Sequence, residues 1–443
     1  MKISITRFIL IGWLFILIGF YLLGIYFIST QHLDFAAFYA SLQFLLEGKN
    51  IYTPVSVDAS SLIHLPAMGE QTRHANLNPP FFTLLLSPLG WLSHQVAFLV
   101  WSFLSLIFGV MGAVLIQRTN EKPDIDYTLI LLILLLAYFP TFNNIMIGQT
   151  ALLVFMLVAG GWVAARQGRE QLSGVLLGLA FAIKLFLGLF IIYFLLQRRW
   201  RLLVWLLMTV AATWLLGWAA LGLDSYEQYH QALASVTWQS HTGNASAYGY
   251  FSRIFGGSYS IPLMDAPVLG KALYYLLTIT LLALLVWLAR PSQRIATIVC
   301  ADLGFSFTLV AALLISPLGW IYYFPLLLIP FFVLFRLTYT YALPQKFKFS
   351  LLFVLLASGF PQLINTVADQ HPAALTLAAY PFYALLGLAG LIIAANMMLQ
   401  GKQVIAADTT TVERTHLLYT FLALVLYYIV MGAVIAAAKT ISA

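Results

Sequence analysis

Twenty-one consecutive residues, Phe8 to Ile28, carry no charged side chain, and no other feature restricts the fold so strongly. A helix of about 20 apolar residues crosses the roughly 30 Å hydrocarbon layer of a bilayer. A secretory signal has a shorter apolar region, about 7–15 residues, and a small-residue cleavage site. Phe8–Ile28 fits neither requirement and is expected to be a retained helix. Comparable runs recur at 96–117, 127–147, 149–165, 172–197, 201–221, 267–289, 295–315, 317–335, 349–367, 375–398 and 417–438. Composition agrees, with 62% of the chain hydrophobic and only 8% charged. Soluble domains carry about 25% charged residues, and a water-soluble globule of this size would still expose roughly a quarter of its unfolded surface. The expected fold is therefore an all-α polytopic membrane protein of about 12–13 transmembrane helices.

The net charge of +7 is distributed in ones and twos. That pattern orients a chain in a bilayer and does not resemble a nucleic-acid surface. With the N-terminus cytoplasmic and 172–197 read as an up-and-down pair, the inner connections hold Arg118, Lys122, Arg166, Arg169, Arg198, Arg199, Arg201, Arg290, Arg294, Arg336, Lys346, Lys348, Lys402 and Arg414. The outer ones hold Lys49, Arg73, Arg253 and Lys271. The stretch 81–92 is expected to be a re-entrant or kinked element, because a full crossing there would invert the loops that follow. Two large outer loops result, 29–80 and 222–266. In the first, Phe35, Phe38, Leu42 and Leu45 recur at helical spacing, which predicts an interfacial helix with its apolar face down. A single cysteine, Cys300, excludes an intrachain disulfide framework.

Few polar residues are placed to do chemistry. Asp34 stands at the rim of the first apolar run, between Leu33 and Phe35. From this stretch alone a helix N-cap is the leading reading, and a general base that takes a proton from an attacking hydroxyl is the other. Lys184 has no charged neighbour for ten residues on either side. A lone charge in mid-membrane costs about 2.5–3.5 kcal/mol even on the insertion scale, so the ammonium must snorkel, find a structural partner or hold an anion. Gln149, at a predicted outer helix end, either caps the next helix or bonds a sugar hydroxyl. In the second loop, His241, Asn244 and Arg253 supply polar groups. Arg253 is read either as a bidentate phosphate donor or as the partner of Asp224 or Asp265. Trp320, Tyr322 and Tyr323 form an aromatic group at the outer interface, read as a membrane belt or as a sugar-stacking platform. Gly-rich phosphate loops, zinc-protease motifs and Cys/His ligand clusters are absent from the sequence.

Several stretches in order resemble the GT87 (DUF2029) group of polyprenyl-phosphate-sugar-dependent, GT-C class glycosyltransferases. They are "DFAAFYASLQFLLEGKNIYTP" (34–54), "NPPFFTLLLSPLGWL" (78–92), "GQTALLVFML" (148–157), "GVLLGLAFAIKLFLGLFIIYFLLQRRWR" (174–201) and "SPLGWIYY" (316–323). The resemblance implies a GT-C type bundle with interfacial helices in both outer loops. It also implies inverting transfer of a hexose, typically mannose, from a polyprenyl-phosphate carrier to a hydroxyl on a glycan, glycolipid or other acceptor. Such enzymes work at the outer face of a bacterial-type inner membrane. Asp34 maps to the general base, and Lys184 and Arg253 are assigned to the donor phosphate. Gln149, His241, Asn244, Trp320, Tyr322 and Tyr323 are assigned to sugar or acceptor. No second carboxylate adjoins Asp34, so neither a metal nor another cofactor is expected. Where several relatives carry histidine after the Ser-Pro-x-x-Trp segment, this chain has tyrosines, which leaves His241 as a candidate for that polar role. Residues 1–345 are expected to form the catalytic module and 346–443 to add C-terminal helices. A transporter or flippase of a lipid-linked sugar or other anionic lipid is the alternative, and would need polar groups near the midplane.

Overall fold

A backbone in hydrocarbon has no water to bond and must satisfy itself, so long apolar runs become helices. The computed structural model describes residues 5–30, 34–56, 73–119, 125–257, 262–290, 297–361 and 379–400. Among them the protein is all-α and polytopic apart from one two-residue antiparallel ribbon, Val55–Ser56 with Arg73–His74. Seven segments are long and apolar enough to cross a membrane. They are α1 (Ile5–Ile28), α4 (His94–Gln117), α10 (Trp200–Leu221), α13 (Pro267–Leu288), α14 (Thr297–Ile315), the segment Ile321–Thr340 that ends in α15 (Leu328–Thr340), and α17 (Tyr380–Gln400). An eighth arises if α5 (Ile125–Ala137) and α6 (Phe139–Met146), bent by 59° just before Pro140, form one span.

Against the expected count of about 12–13 crossings, seven or eight segments among the described residues reach full length. Others are short helices, such as α7 (Ala151–Arg166), α8 (Glu170–Ile183) and α9 (Leu189–Leu196), and the expected run 417–438 lies outside the described residues. The stretch 81–92 is a short kinked element, with α3 (Pro80–Leu86) passing into a 3-10 turn at Ser87–Trp91. Large side chains on α1 and α13, including Phe15, Phe27 and Val268, face outward, as a lipid-facing shell requires. Helix α14 and the Ile321–Thr340 segment are mostly buried and form the centre.

The path through 172–197 follows from close packing. A Cβ on Gly174 would lie 2.5 Å from the Leu202 carbonyl oxygen, and one on Gly178 would lie 2.7 Å from Thr209 Cβ. Contacting residue numbers rise together along both helices, so α8 and α10 are parallel. Helix α9 between them must run back, and the chain turns at Lys184, whose extended backbone (φ −135°, ψ 105°) ends α8. Arg199 donates to Glu170 at 2.9 Å, joining the starts of α10 and α8. Arg166 pairs with Asp302, and Arg7 with Asp126 at 2.7 Å. These ion pairs mark the end of the bundle opposite the Lys184 turn.

At the Lys184 end the two expected outer loops pack together. Helix α2 (Asp34–Leu46) buries Phe35, Phe38 and Leu42, the face anticipated from spacing. Ile51, Tyr52 and Ala75 of the first loop form a small core with Tyr229 and Ala232 of α11 (Asp224–Ala234) in the second. The Tyr52 and Tyr229 rings are 5.6 Å apart. Helix α12 (Ala247–Phe255) then reaches α17, where Tyr250 stacks on Phe382 at 4.3 Å.

Gly174→Leu should force α8 from α10 and cost about 1–3 kcal/mol, as overpacked cores do. A lowered thermal midpoint in detergent would register it. Gly12→Ala, where no atom lies within 4 Å of the added carbon, should leave the midpoint unchanged.

Candidate active site

Asp34 is the first residue of α2, and the turn between α6 and α7 fixes its position. The Phe35 amide donates to the Ile147 carbonyl at 3.0 Å. Gly148 adopts φ +70°, and a Cβ there would stand 2.6 Å from Phe35 Cβ. Two requirements, left-handed backbone and close approach, therefore fall on one glycine. Trp101 Nε1 donates to the Gly148 carbonyl at 2.8 Å. With the turn held, Gln149 Nε2 donates to Asp34 Oδ2 at 2.8 Å.

Lys184 reaches the same region from the α8–α9 turn. Its Nζ donates to Asn78 Oδ1 at 2.7 Å and lies 5.4 Å from the centre of the Tyr323 ring. The Asp34 carboxylate is close enough for its charge to act on Lys184, Tyr322 and Tyr323. Tyr322 and Tyr323 rings are 4.7 Å apart, and Tyr322 stacks on Trp320 at 6.0 Å with an interplanar angle of 9°. His241 completes the aromatic row, 5.5 Å from Trp320, while its Nδ1 accepts from the Gly243 amide. The structure thus gathers Asp34, Gln149, Lys184, Tyr322 and Tyr323 at one end of the bundle, with Trp320 and His241 beside them.

Asn244 and Arg253 have a different setting. Asn244 is fully buried; its Nδ2 donates to the Gln239 and Pro317 carbonyls, and its Oδ1 accepts from Ser246 N and Gly319 N. Backbone bonds from Ala245 to Gly319 and from Ile321 to Gly243 continue the seam. The side chain assigned to a sugar therefore staples the second loop to the segment that presents Trp320. Arg253 is 1% exposed and donates through Nη1 to the His241 and Asn244 carbonyls at 2.7 and 2.9 Å. These bonds hold its guanidinium inside the loop. Burial pulls its pKa down to about 10, so it remains cationic at neutral pH.

Two asparagines were missed. Asn78 sits in "NLNPP", which reads as a turn, yet it supplies Lys184 with its partner. Asn144 is fully buried, and its main-chain carbonyl accepts from Gln149 N at 2.8 Å. Both of its amide atoms, together with Thr141 Oγ1, Gln149 Oε1 and Thr150 Oγ1, have no hydrogen-bond partner among the described residues. Buried polar atoms are normally paired, so this wall is unusually polar for a membrane bundle. The signal available in the sequence was amides embedded in apolar text. Among the described residues, no three His, Cys, Asp or Glu side chains converge to hold a metal.

The sequence model of glycosyltransferase family 87 matches residues 76–317, more than half of the 443. The chain belongs to glycosyltransferase family 87. This family 87 chain is 25% identical over 262 residues to a polyprenol-phosphate-mannose-dependent alpha-(1-2)-phosphatidylinositol mannoside mannosyltransferase of Mycobacterium tuberculosis. The alignment takes in 55% of this chain and 57% of that protein. A crystal structure of ArnT from Cupriavidus metallidurans bound to undecaprenyl phosphate aligns with a TM-score of 0.40 at 14% identity, covering 87% of this chain and 78% of that one. The apo form gives 0.34 at 15% identity, covering 89% and 78%. The matched family region contains Asn78, Gln149, Lys184, His241, Asn244 and Arg253, while Asp34 and Trp320–Tyr323 lie outside it.

Asn244→Ala should strand the Gly319 amide and the Pro317 carbonyl. Each buried group left unpaired costs about 1–3 kcal/mol, so the thermal midpoint should fall by several degrees, and Trp320 should become more accessible to an aqueous fluorescence quencher.

Proposed function

We propose that this family 87 chain transfers a hexose, with mannose the first candidate, from a polyprenyl-phosphate carrier to a hydroxyl acceptor at the outer face of a bacterial-type inner membrane. The observation that carries this reading is the environment of Lys184. Among the described residues its ammonium donates to a neutral amide and forms no ion pair. A partly exposed cation, beside a carboxylate yet joined to a neutral group, suits an anionic ligand that brings its own charge. The name of the mycobacterial relative supports mannose and a polyprenol carrier. Basic residues at the opposite end of the bundle support an outward site under the positive-inside rule.

In the proposed reaction the acceptor oxygen attacks the anomeric carbon while Asp34 takes its proton. The bond from that carbon to the phosphate oxygen breaks, and its electron pair leaves with polyprenyl phosphate. Attack opposite the leaving group inverts the configuration. Lys184 meets the charge that develops on the phosphate, a contact that strengthens along the reaction and so lowers the barrier. Gln149 orients the carboxylate through Oδ2. Tyr322, Tyr323 and Trp320 offer ring faces to the sugar, with His241 a polar edge. Asn244 and Arg253 act from inside the loop by holding that platform. The clustering of these groups at one end favours transfer over transport, which would place them near the midplane.

Purified protein supplied with radiolabelled polyprenyl-phosphate mannose and a glycolipid extract should form labelled product. Asp34→Asn should lower turnover by about 10²–10⁴-fold, the usual worth of a positioned base, with carrier binding retained. Equal turnover would remove Asp34 from that role, and transfer only from glucose or arabinose carriers would overturn mannose alone. Lys184→Gln should instead weaken both carrier binding and turnover, read as a raised KM with a lowered kcat.

A further inference from the structure

The partner of Lys184 is itself fixed by a chain of amides. Asn78 Nδ2 donates to Asn76 Oδ1 at 2.8 Å, and Asn76 Nδ2 donates to Thr83 Oγ1 at 3.1 Å. The Asn78 main-chain N–H also donates to Asn76 Oδ1, at 3.0 Å, and the Tyr52 hydroxyl donates to the Asn78 carbonyl at 2.8 Å. Tyr52, Asn76, Asn78 and Thr83 are all buried. Asn76 thus accepts the Asn78 amide hydrogens, which leaves Asn78 Oδ1 to face the ammonium. Flipping the Asn78 amide would set an NH2 group against a cation and an oxygen against an oxygen, so the network determines its direction.

An amide oxygen in this place differs from a carboxylate in one respect that matters. Both orient the ammonium, but a carboxylate would also neutralise it. At the opposite end of the bundle Arg7, Arg166 and Arg199 have carboxylate partners. At Lys184 the hydrogen-bond partner supplies geometry without counter-charge, and the Asp34 carboxylate acts on the ammonium without a direct ion pair.

From this geometry we infer that Asn78 is a positioning residue: a neutral latch, aimed by Asn76 and Thr83, that holds Lys184 ready for the phosphate of a lipid carrier while adding no negative charge of its own. The inference rests on the reading of Lys184 as the phosphate-facing cation. It explains why "NLNPP" carries asparagines at 76 and 78, where a turn alone would accept Asp or Ser. It also gives the first outer loop a function beyond carrying Asp34.

The test compares Asn78→Asp with Asn78→Ala in the full-length protein in nanodiscs, with undecaprenyl phosphate as probe and tryptophan fluorescence as readout. Both variants remove the side-chain hydrogen bond to Asn76; aspartate keeps an acceptor for Lys184 and adds a negative charge, whereas alanine removes the acceptor, so weaker binding by the aspartate variant can come only from the charge. Asn78→Ala should weaken binding about tenfold, through loss of preorganisation. Asn78→Asp should weaken it about 100-fold, because like charges placed together cost several kcal/mol, while its thermal midpoint equals or exceeds that of Asn78→Ala. A purely structural role predicts the reverse for the alanine variant: a lower midpoint with unchanged affinity per folded molecule. Binding by Asn78→Asp equal to or tighter than that of Asn78→Ala overturns the latch. Should Asn78→Asp not fold, Asn76→Asp keeps the acceptor for Asn78 and sets a charge one link further along the hydrogen-bond chain; it should weaken binding about tenfold, and unchanged affinity there overturns the latch too. Failure of the unaltered protein to bind undecaprenyl phosphate overturns instead the reading of Lys184 on which the latch depends.

Discussion

A lysine ammonium cannot be left in hydrocarbon, and the region around Lys184 is organised by that constraint. Abandoning the charge at the bilayer centre would cost about 2.5–3.5 kcal/mol on the most lenient scale. The chain avoids the cost by turning at the lysine. Helix α8 ends there, α9 runs back, and the charge arrives at one end of the bundle, where Asn78 meets it. Gly174 and Gly178 bring α8 and α10 together so closely that the approach of α8 is fixed. Packing several turns away thus decides where a single cation stands.

The second element of the site arrives by a separate route. Asp34 depends on a left-handed glycine and a tryptophan that together hold the α6–α7 turn against Phe35. Two distant stretches of chain, around 34 and 149, are therefore locked to one another, and 78 is tied to 184, before any substrate is considered. The loops above them are locked too, through Tyr52 and Tyr229 on one side and through Asn244 and Trp320 on the other. Rigid support of this kind would keep the proposed base and cation within reach of one reacting bond. A site built on free loops would lose that register.

Much of this was legible in the sequence, for identifiable reasons. The buried face of α2, the break at Lys184, the kinked element at 81–92 and the segregation of arginines follow from periodicity, hydropathy and charge, which are local properties. The fates of Asn244 and Arg253 were not legible. An amide or guanidinium has the same composition whether it meets a ligand or a carbonyl of its own loop. What decides is which backbone groups the tertiary fold leaves unpaired: here the Gly319 amide and the Pro317, His241 and Asn244 carbonyls. Hydropathy counts apolar runs, and among the described residues α7, α8 and α9 satisfy it as helices shorter than the seven or eight of full span length.

The distribution of carboxylates separates the two ends of the molecule. With only 15 acidic residues, three are used to pair arginines at the basic end, where Asp302 also accepts from Trp162. Such pairs are internally balanced and have no need of a ligand. At the other end Asp34 receives a hydrogen bond from a neutral glutamine and Lys184 gives one to a neutral asparagine. The Lys184 charge is oriented by an amide and, among the described residues, forms no ion pair. A bundle concerned only with its own stability gains more from joining such charges directly. Holding the ammonium on a neutral partner is the arrangement expected where a ligand brings the negative charge, as in the function proposed above.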